Sequence, residues 1–201
     1  MTPKDRSSLR GWPPSWVFAA LVVTACSDSP NCDPSAPGPS LNPRLVVPGP
    51  IPPVTIDDQW AAIARTVPGG WGGMFLVSGT PTIYLVDPSK RSEAVAALYA
   101  AGVGRPSYDV RQAQVLRGRW DFGQLYDWYN YINSVAFARV PGLASTDIDE
   151  KQNRLVYGMV DDNSKSQLQA LFQSLGVPCE LAVVNVTGSF IPSAPPTREV
   201  Q

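Results

Sequence analysis

A chain of 201 residues with 44% hydrophobic and 16% charged side chains has the composition of one folded domain rather than of a wholly disordered polymer. Its formal charge is −1, and no basic patch points to nucleic acid. The absence of histidine excludes every Ser-His-Asp or Cys-His catalytic arrangement and every site that needs an imidazole ligand for zinc, copper or haem.

Residues 1–25 have the layout of a signal peptide: positive charge at Lys4, Arg6 and Arg10, an apolar run from Trp16 to Val23, then small residues before a cysteine. The run is far shorter than the roughly 20 apolar residues that a membrane-spanning helix needs, so it reads as the core of a leader. Val23, Thr24, Ala25 and Cys26 resemble the lipobox of bacterial lipoproteins, in which the cysteine is lipidated and becomes the new N-terminus. Each buried lipid methylene is worth about 0.8 kcal/mol, so a multi-chain anchor on Cys26 holds the chain at the cell envelope. Ordinary secretion with an incidental Cys26 stays open as the alternative. Residues 26–54, rich in Pro, Ser and Gly and without helical or strand period, are expected to be a tether; proline-rich chain extends by about 3.1 Å per residue. With Cys26 lipidated, Cys32 and Cys179 remain as a candidate disulfide in an oxidising compartment. Spacing leaves open a free Cys179 beside an exposed Cys32.

A folded domain is expected over 55–187, with a flexible tail at 188–201. Thr55 with Asp58 reads as a capping box opening a short helix, whose apolar face is Trp60, Ile63 and Ala64 and which stops at Pro68. Gly69 to Gly73 break the chain, and MFLVS and TIYLVD, joined through Gly79, predict a β-hairpin. Asp87 and Pro88 start a helix that buries Val95, Leu98 and Tyr99 and ends at Gly102 and Gly104. Residues 109–116 are a strand candidate. Asp121 with Gln124 caps the next helix, which carries one apolar stripe of Phe122, Leu125, Tyr129, Ile132 and Ala136 and a second of Trp128, Tyr131 and Val135. Paired strands at 143–149 and 153–160 follow. Ser164 with Gln167 is read as opening a helix that buries Leu168, Leu171, Phe172 and Leu175, and Gly176 ends it. LAVVNVT is the last strand. The fold class expected is α+β: an N-terminal helix and β-hairpin, then a ferredoxin-like βαββαβ unit with an antiparallel sheet and helices on one face.

The residues that invite a chemical reading each have a plainer one. Asp147, Asp149 and Glu150 begin like a calcium loop, but Gly158 stands where the bidentate acid belongs, so a solvated hairpin turn is preferred. Asp161 and Asp162 precede a helix start, where carboxylates favour the dipole. Gly69 to Gly73 lack the following GK[ST] of a phosphate loop. Ser164 and Lys165 are adjacent rather than convergent, and no two acids are marked out for glycosidase chemistry. The expectation is a non-enzymatic chain with no cofactor and no metal site.

The stretches VPGGWGGMFLVSGTPTIYLVDPSK, FGQLYDWYNYIN, VPGLASTDIDEKQNRLVYGMVDD and LFQSLGVPCELAVV resemble the pro-region domains of bacterial secreted serine proteases of the α-lytic protease and streptogrisin type. In that family the domain assists folding of its protease and then inhibits it. The resemblance carries over the aromatic helix from Phe122 to Phe137 and the C-terminal strand. No protease follows Gln201, and the leader is of lipoprotein type, so action in trans is expected. Together these readings predict a lipid-anchored, extracytoplasmic interaction module that meets a protein partner, a protease or another envelope protein, through Trp128, Tyr131 and Val135. A carboxylate-dependent hydrolase of envelope polymers and a purely structural envelope lipoprotein are the alternatives.

Overall fold

The computed structural model describes residues 55–104 and 106–189, so the leader, the tether with Cys26 and Cys32, and residues 190–201 lie outside the described residues. Helix α1 (Ile56–Ala64) begins at the expected capping box: Thr55 Oγ1 accepts the Asp58 N–H at 3.1 Å while Asp58 Oδ2 accepts the Thr55 N–H at 2.7 Å. Strands β1 (Trp71–Val77) and β2 (Thr80–Leu85) form the expected antiparallel hairpin. A single 3-10 turn capped by Asp87 leads into α2 (Arg91–Ala100), and β3 (Gln114–Arg117) returns alongside β2. The second half runs through α3 (Phe122–Arg139), β4 (Leu143–Asp149), β5 (Arg154–Met159), α4 (Asp162–Leu175) and β6 (Ala182–Val186).

The class is α+β, and the order β, α, β, β, α, β does run from β3 to β6. The pairing corrects the expected single antiparallel sheet. The described residues form two three-stranded mixed sheets, β1-β2-β3 and β4-β5-β6, and in each the first pair is antiparallel and the second parallel. The physical reason lies in β2, where Thr82, Ile83 and Leu85 are almost wholly buried. A buried central strand needs backbone partners on both edges. The hairpin supplies one, and α2 carries the chain back to supply the other in the register Thr82–Gln114 to Leu85–Arg117. The expected strand at 109–116 is shortened because Asp109 accepts the Arg111 N–H at 2.9 Å and winds 110–112 into a 3-10 turn. Helix α4 starts before Ser164: Asp161 is its cap, accepting the Ser164 N–H at 2.7 Å.

These sheets belong to a duplication. Each half reads helix, two antiparallel strands, helix, parallel strand: α1-β1-β2-α2-β3 and then α3-β4-β5-α4-β6. Val86, Asp87, Ser92, Ala96, Gly102 and Val103 recur at one fixed spacing as Val160, Asp161, Ser166, Ala170, Gly176 and Val177. The helix endings repeat too. The Val103 N–H donates to the Leu98 carbonyl at 3.0 Å and the Val177 N–H to the Phe172 carbonyl at 2.9 Å, each across a left-handed glycine. Val-Pro-Gly introduces the first strand in both halves, at 67–69 and 140–142.

The halves share one core. Trp60, Trp71 and Phe122 form an aromatic cluster with ring centroids 5.3 to 6.0 Å apart, joining α1, β1 and α3. Arg65 of α1 pairs with Asp127 of α3 at 2.8 Å, and the Tyr126 hydroxyl donates to Asp58. Among the described residues, no helix is long and apolar enough to cross a membrane.

Candidate functional site: an arginine recess between the halves

The turn between β4 and β5 reaches into the first half. Asn153 has a left-handed backbone (φ 52°), is 5% exposed, and its side-chain amide makes four hydrogen bonds. Its Oδ1 accepts the N–H groups of Arg119 (2.8 Å) and Trp120 (3.0 Å), and its Nδ2 donates to the carbonyls of Gly72 (3.2 Å) and Trp120 (2.8 Å). Glycine is required at 72, where a Cβ would come within 2.5 Å of both the Asn153 amide nitrogen and the Trp120 carbonyl. Gly72 is therefore a close-approach position within the glycine run from 69 to 73.

Around this junction lies an open recess of about 200 Å³. Arg117, Arg119 and Arg154 line it together with Glu180, Tyr84 and Gln152, and the buried Trp120 and Asn153 complete it. Arg119 Nη1 donates to Glu180 Oε2 at 2.6 Å, and its guanidinium lies 5.3 Å from the Trp120 ring centroid. Arg154 Nε makes only a long contact, 3.4 Å, to the Gln152 carbonyl. Among the described residues, no carboxylate stands within ion-pair distance of Arg117 or Arg154, although Asp87 lies close enough to feel the field of Arg117. Among the described residues, three arginines and one carboxylate thus line the recess. Of the three non-glycine residues with positive φ among the described residues, Ser78 belongs to the β1–β2 turn and the other two, Asn153 and Glu180, both line the recess.

A second cluster is acidic. Asp57 at the start of α1, Asp147 on β4 and Glu150 in the β4–β5 turn lie close together, so that Asp147 acts on both Asp57 and Glu150 and Asp57 acts on Glu150. Burial, then the negative charges of Asp147, Asp57 and Asp149, push the Glu150 carboxyl up to about 7. Burial and then Asp147 raise Asp57, and burial with Asp149 raises Asp147. Glu150 lies over Gly73, where a Cβ would meet its Cγ at 2.8 Å. Among the described residues, no group of three or more His, Cys, Asp or Glu is arranged to hold a metal ion.

The expected partner surface is corrected in its leading member. Trp128 is 5% exposed, because the helix turns it into the core with its ring 5.9 Å from that of Tyr131. Tyr131 and Val135 are half-buried against the same core. Two apolar stripes on α3 mean burial on both sides, since α3 packs on α1, both sheets and α4. Cys179 is disulfide-bonded, with its partner outside the described residues, and stands next to Glu180 of the recess. Sequence reasoning missed the recess because its arginines sit on two segments far apart in the chain; the Arg-Gly-Arg at 117–119 was the one local signal. A scan of protein-family models and a search of curated proteins return no match to the chain.

Proposed function

We propose that the chain is an extracytoplasmic interaction module, held at the envelope by a lipid on Cys26, that engages a protein partner in trans, with a secreted serine protease as the first candidate. The observation that carries this reading is the arginine recess. It is open and polar, bears more positive than negative charge, and stands on backbone fixed by Asn153, which are properties of a recognition surface. The bond at Cys179 accords with an oxidising compartment. The contact role assigned to Trp128 passes to the recess, and Tyr131 and Val135 keep only partial exposure.

The test has two arms. The full chain, expressed with its leader, is expected in the membrane fraction, and Cys26→Ser is expected to release it; retention of the variant would overturn the lipid anchor. The exported chain is then titrated into secreted serine proteases of the streptogrisin type. Saturable inhibition is expected, and an unchanged protease activity at micromolar chain would remove proteases as the partner.

A second reading is favoured by the acidic cluster. A carboxyl raised to about 7 beside other carboxylates is the kind of grouping that hydrolysis of envelope polymers by two acids uses. Polymer cleavage that disappears in Glu150→Gln would bring that reading to the front.

A further inference from the structure

We propose that the recess between the halves is a receptor for a carboxylate presented by a peptide, an acidic side chain or a chain terminus; this rests on the reading of the chain as a protein-binding module. Three observations converge on it. First, the recess already holds one carboxylate: Glu180 Oε2 lies 2.6 Å from Arg119 Nη1, which shows that a guanidinium here is presented to an acid. Second, Arg117 and Arg154 line the same recess with no carboxylate of the described residues at ion-pair distance, so two forks are open to an incoming anion. Third, the frame is fixed by its backbone conformation and by an adjacent covalent link. Asn153 and Glu180 both sit at positive φ, at 52° and 63°, and the disulfide at Cys179 adjoins Glu180.

Size and charge narrow the ligand. A recess of about 200 Å³ is below the roughly 300 Å³ at which small-molecule pockets begin, so it suits one side chain or one terminus of a larger partner. Glu180 bound to Arg119 shows a carboxylate fitting a guanidinium of this recess, which makes a carboxylate the incoming anion the geometry supports best. Planar guanidinium forks match a carboxylate in two parallel hydrogen bonds.

The experiment titrates peptides carrying a neutral dye into the exported full chain in detergent and follows anisotropy. One peptide is amidated and contains glutamates; a second has the glutamates replaced by glutamine and remains amidated; a third has no acidic side chain but a free C-terminus. Saturable binding is expected for the first, the third or both, which identifies the source of the carboxylate, and none for the second. Arg117→Gln and Arg154→Gln are each expected to weaken binding about tenfold. Glu180→Gln removes the competing acid and is expected to tighten binding severalfold, a gain that loss of folding cannot imitate. The proposal is overturned if neither carboxylate peptide saturates, if Glu180→Gln and Arg154→Gln leave affinity unchanged, or if inorganic phosphate displaces the peptide at lower concentration than acetate. Protease inhibition whose midpoint is unchanged in both Arg117→Gln and Arg154→Gln would sink this inference and leave the broader reading standing. Peptide binding without any protease inhibition would do the reverse.

Discussion

Asn153 holds the peptide unit of Trp120 from both sides, accepting its N–H at 3.0 Å and donating to its carbonyl at 2.8 Å. A residue of one half thereby fixes the point at which the other half ends and α3 begins. Both partners are buried, so the bonds have no water to replace them.

Replacing Asn153 with alanine is expected to cost about 3 kcal/mol, since two N–H groups and two carbonyls lose their partner together. Alanine at φ 52° adds backbone strain of about 1 kcal/mol, which glycine avoids. Asn153→Gly is therefore expected to unfold at a higher urea concentration than Asn153→Ala. The reverse order would show that the left-handed backbone contributes nothing.

Glu150 makes stability depend on pH. Its carboxyl protonates at about 7 in the folded chain against 4.5 when unperturbed, so the folded state binds the proton more tightly. The resulting stabilisation is complete below pH 4.5 and lost as pH rises through about 7. A fully buried group shifted this far would contribute about 3 kcal/mol; with part of the carboxyl in water, about 1 kcal/mol is expected. Urea midpoints measured at mildly acidic and mildly alkaline pH are expected to differ less in Glu150→Gln than in the parent chain. Parallel pH profiles would contradict the burial of this acid.

Trp128→Ala is expected to lower stability by about 3–5 kcal/mol, as for other buried aromatics. Binding measured well below the melting temperature is expected to change little. A variant of native stability with abolished binding would restore Trp128 to the partner surface.

Peptide mapping without reduction is expected to find Cys179 joined to the peptide containing Cys32, with Cys26 carrying lipid. A Cys26–Cys179 peptide would instead exclude lipidation of Cys26 in that molecule. Reduction is expected to weaken carboxylate binding more than it lowers overall stability, since Glu180 follows Cys179 directly.

Local chemistry made most of the elements legible. The capping pairs Thr55–Asp58 and Asp121–Gln124 occur as read, as do the hairpin at Ser78–Gly79 and the glycine ends of α2 and α4. Pairing between distant strands was not legible, because β3 is only four residues long and its choice of β2 depends on the burial of Ile83 and Leu85. The duplication was hidden by unequal parts: α1 has 9 residues and α3 has 18. The arginine recess was illegible for the same reason, since Arg117, Arg154 and Glu180 meet only once both sheets are formed and docked. The second stripe of α3 was visible as a pattern, but a stripe does not say which neighbour covers it.

Each parallel pairing closes within its own half, β3 on β2 and β6 on β5, and among the described residues no ladder runs between the two sheets. Every strand thus finds its backbone partners without waiting for the other half, and the distance along the chain to be closed is short in both. What joins the two units is side-chain contact, with Asn153 reaching Gly72 and Trp120. The arginine recess takes its lining from both, so it exists only where the halves are docked, and its occupancy would report that docking as well as partnership.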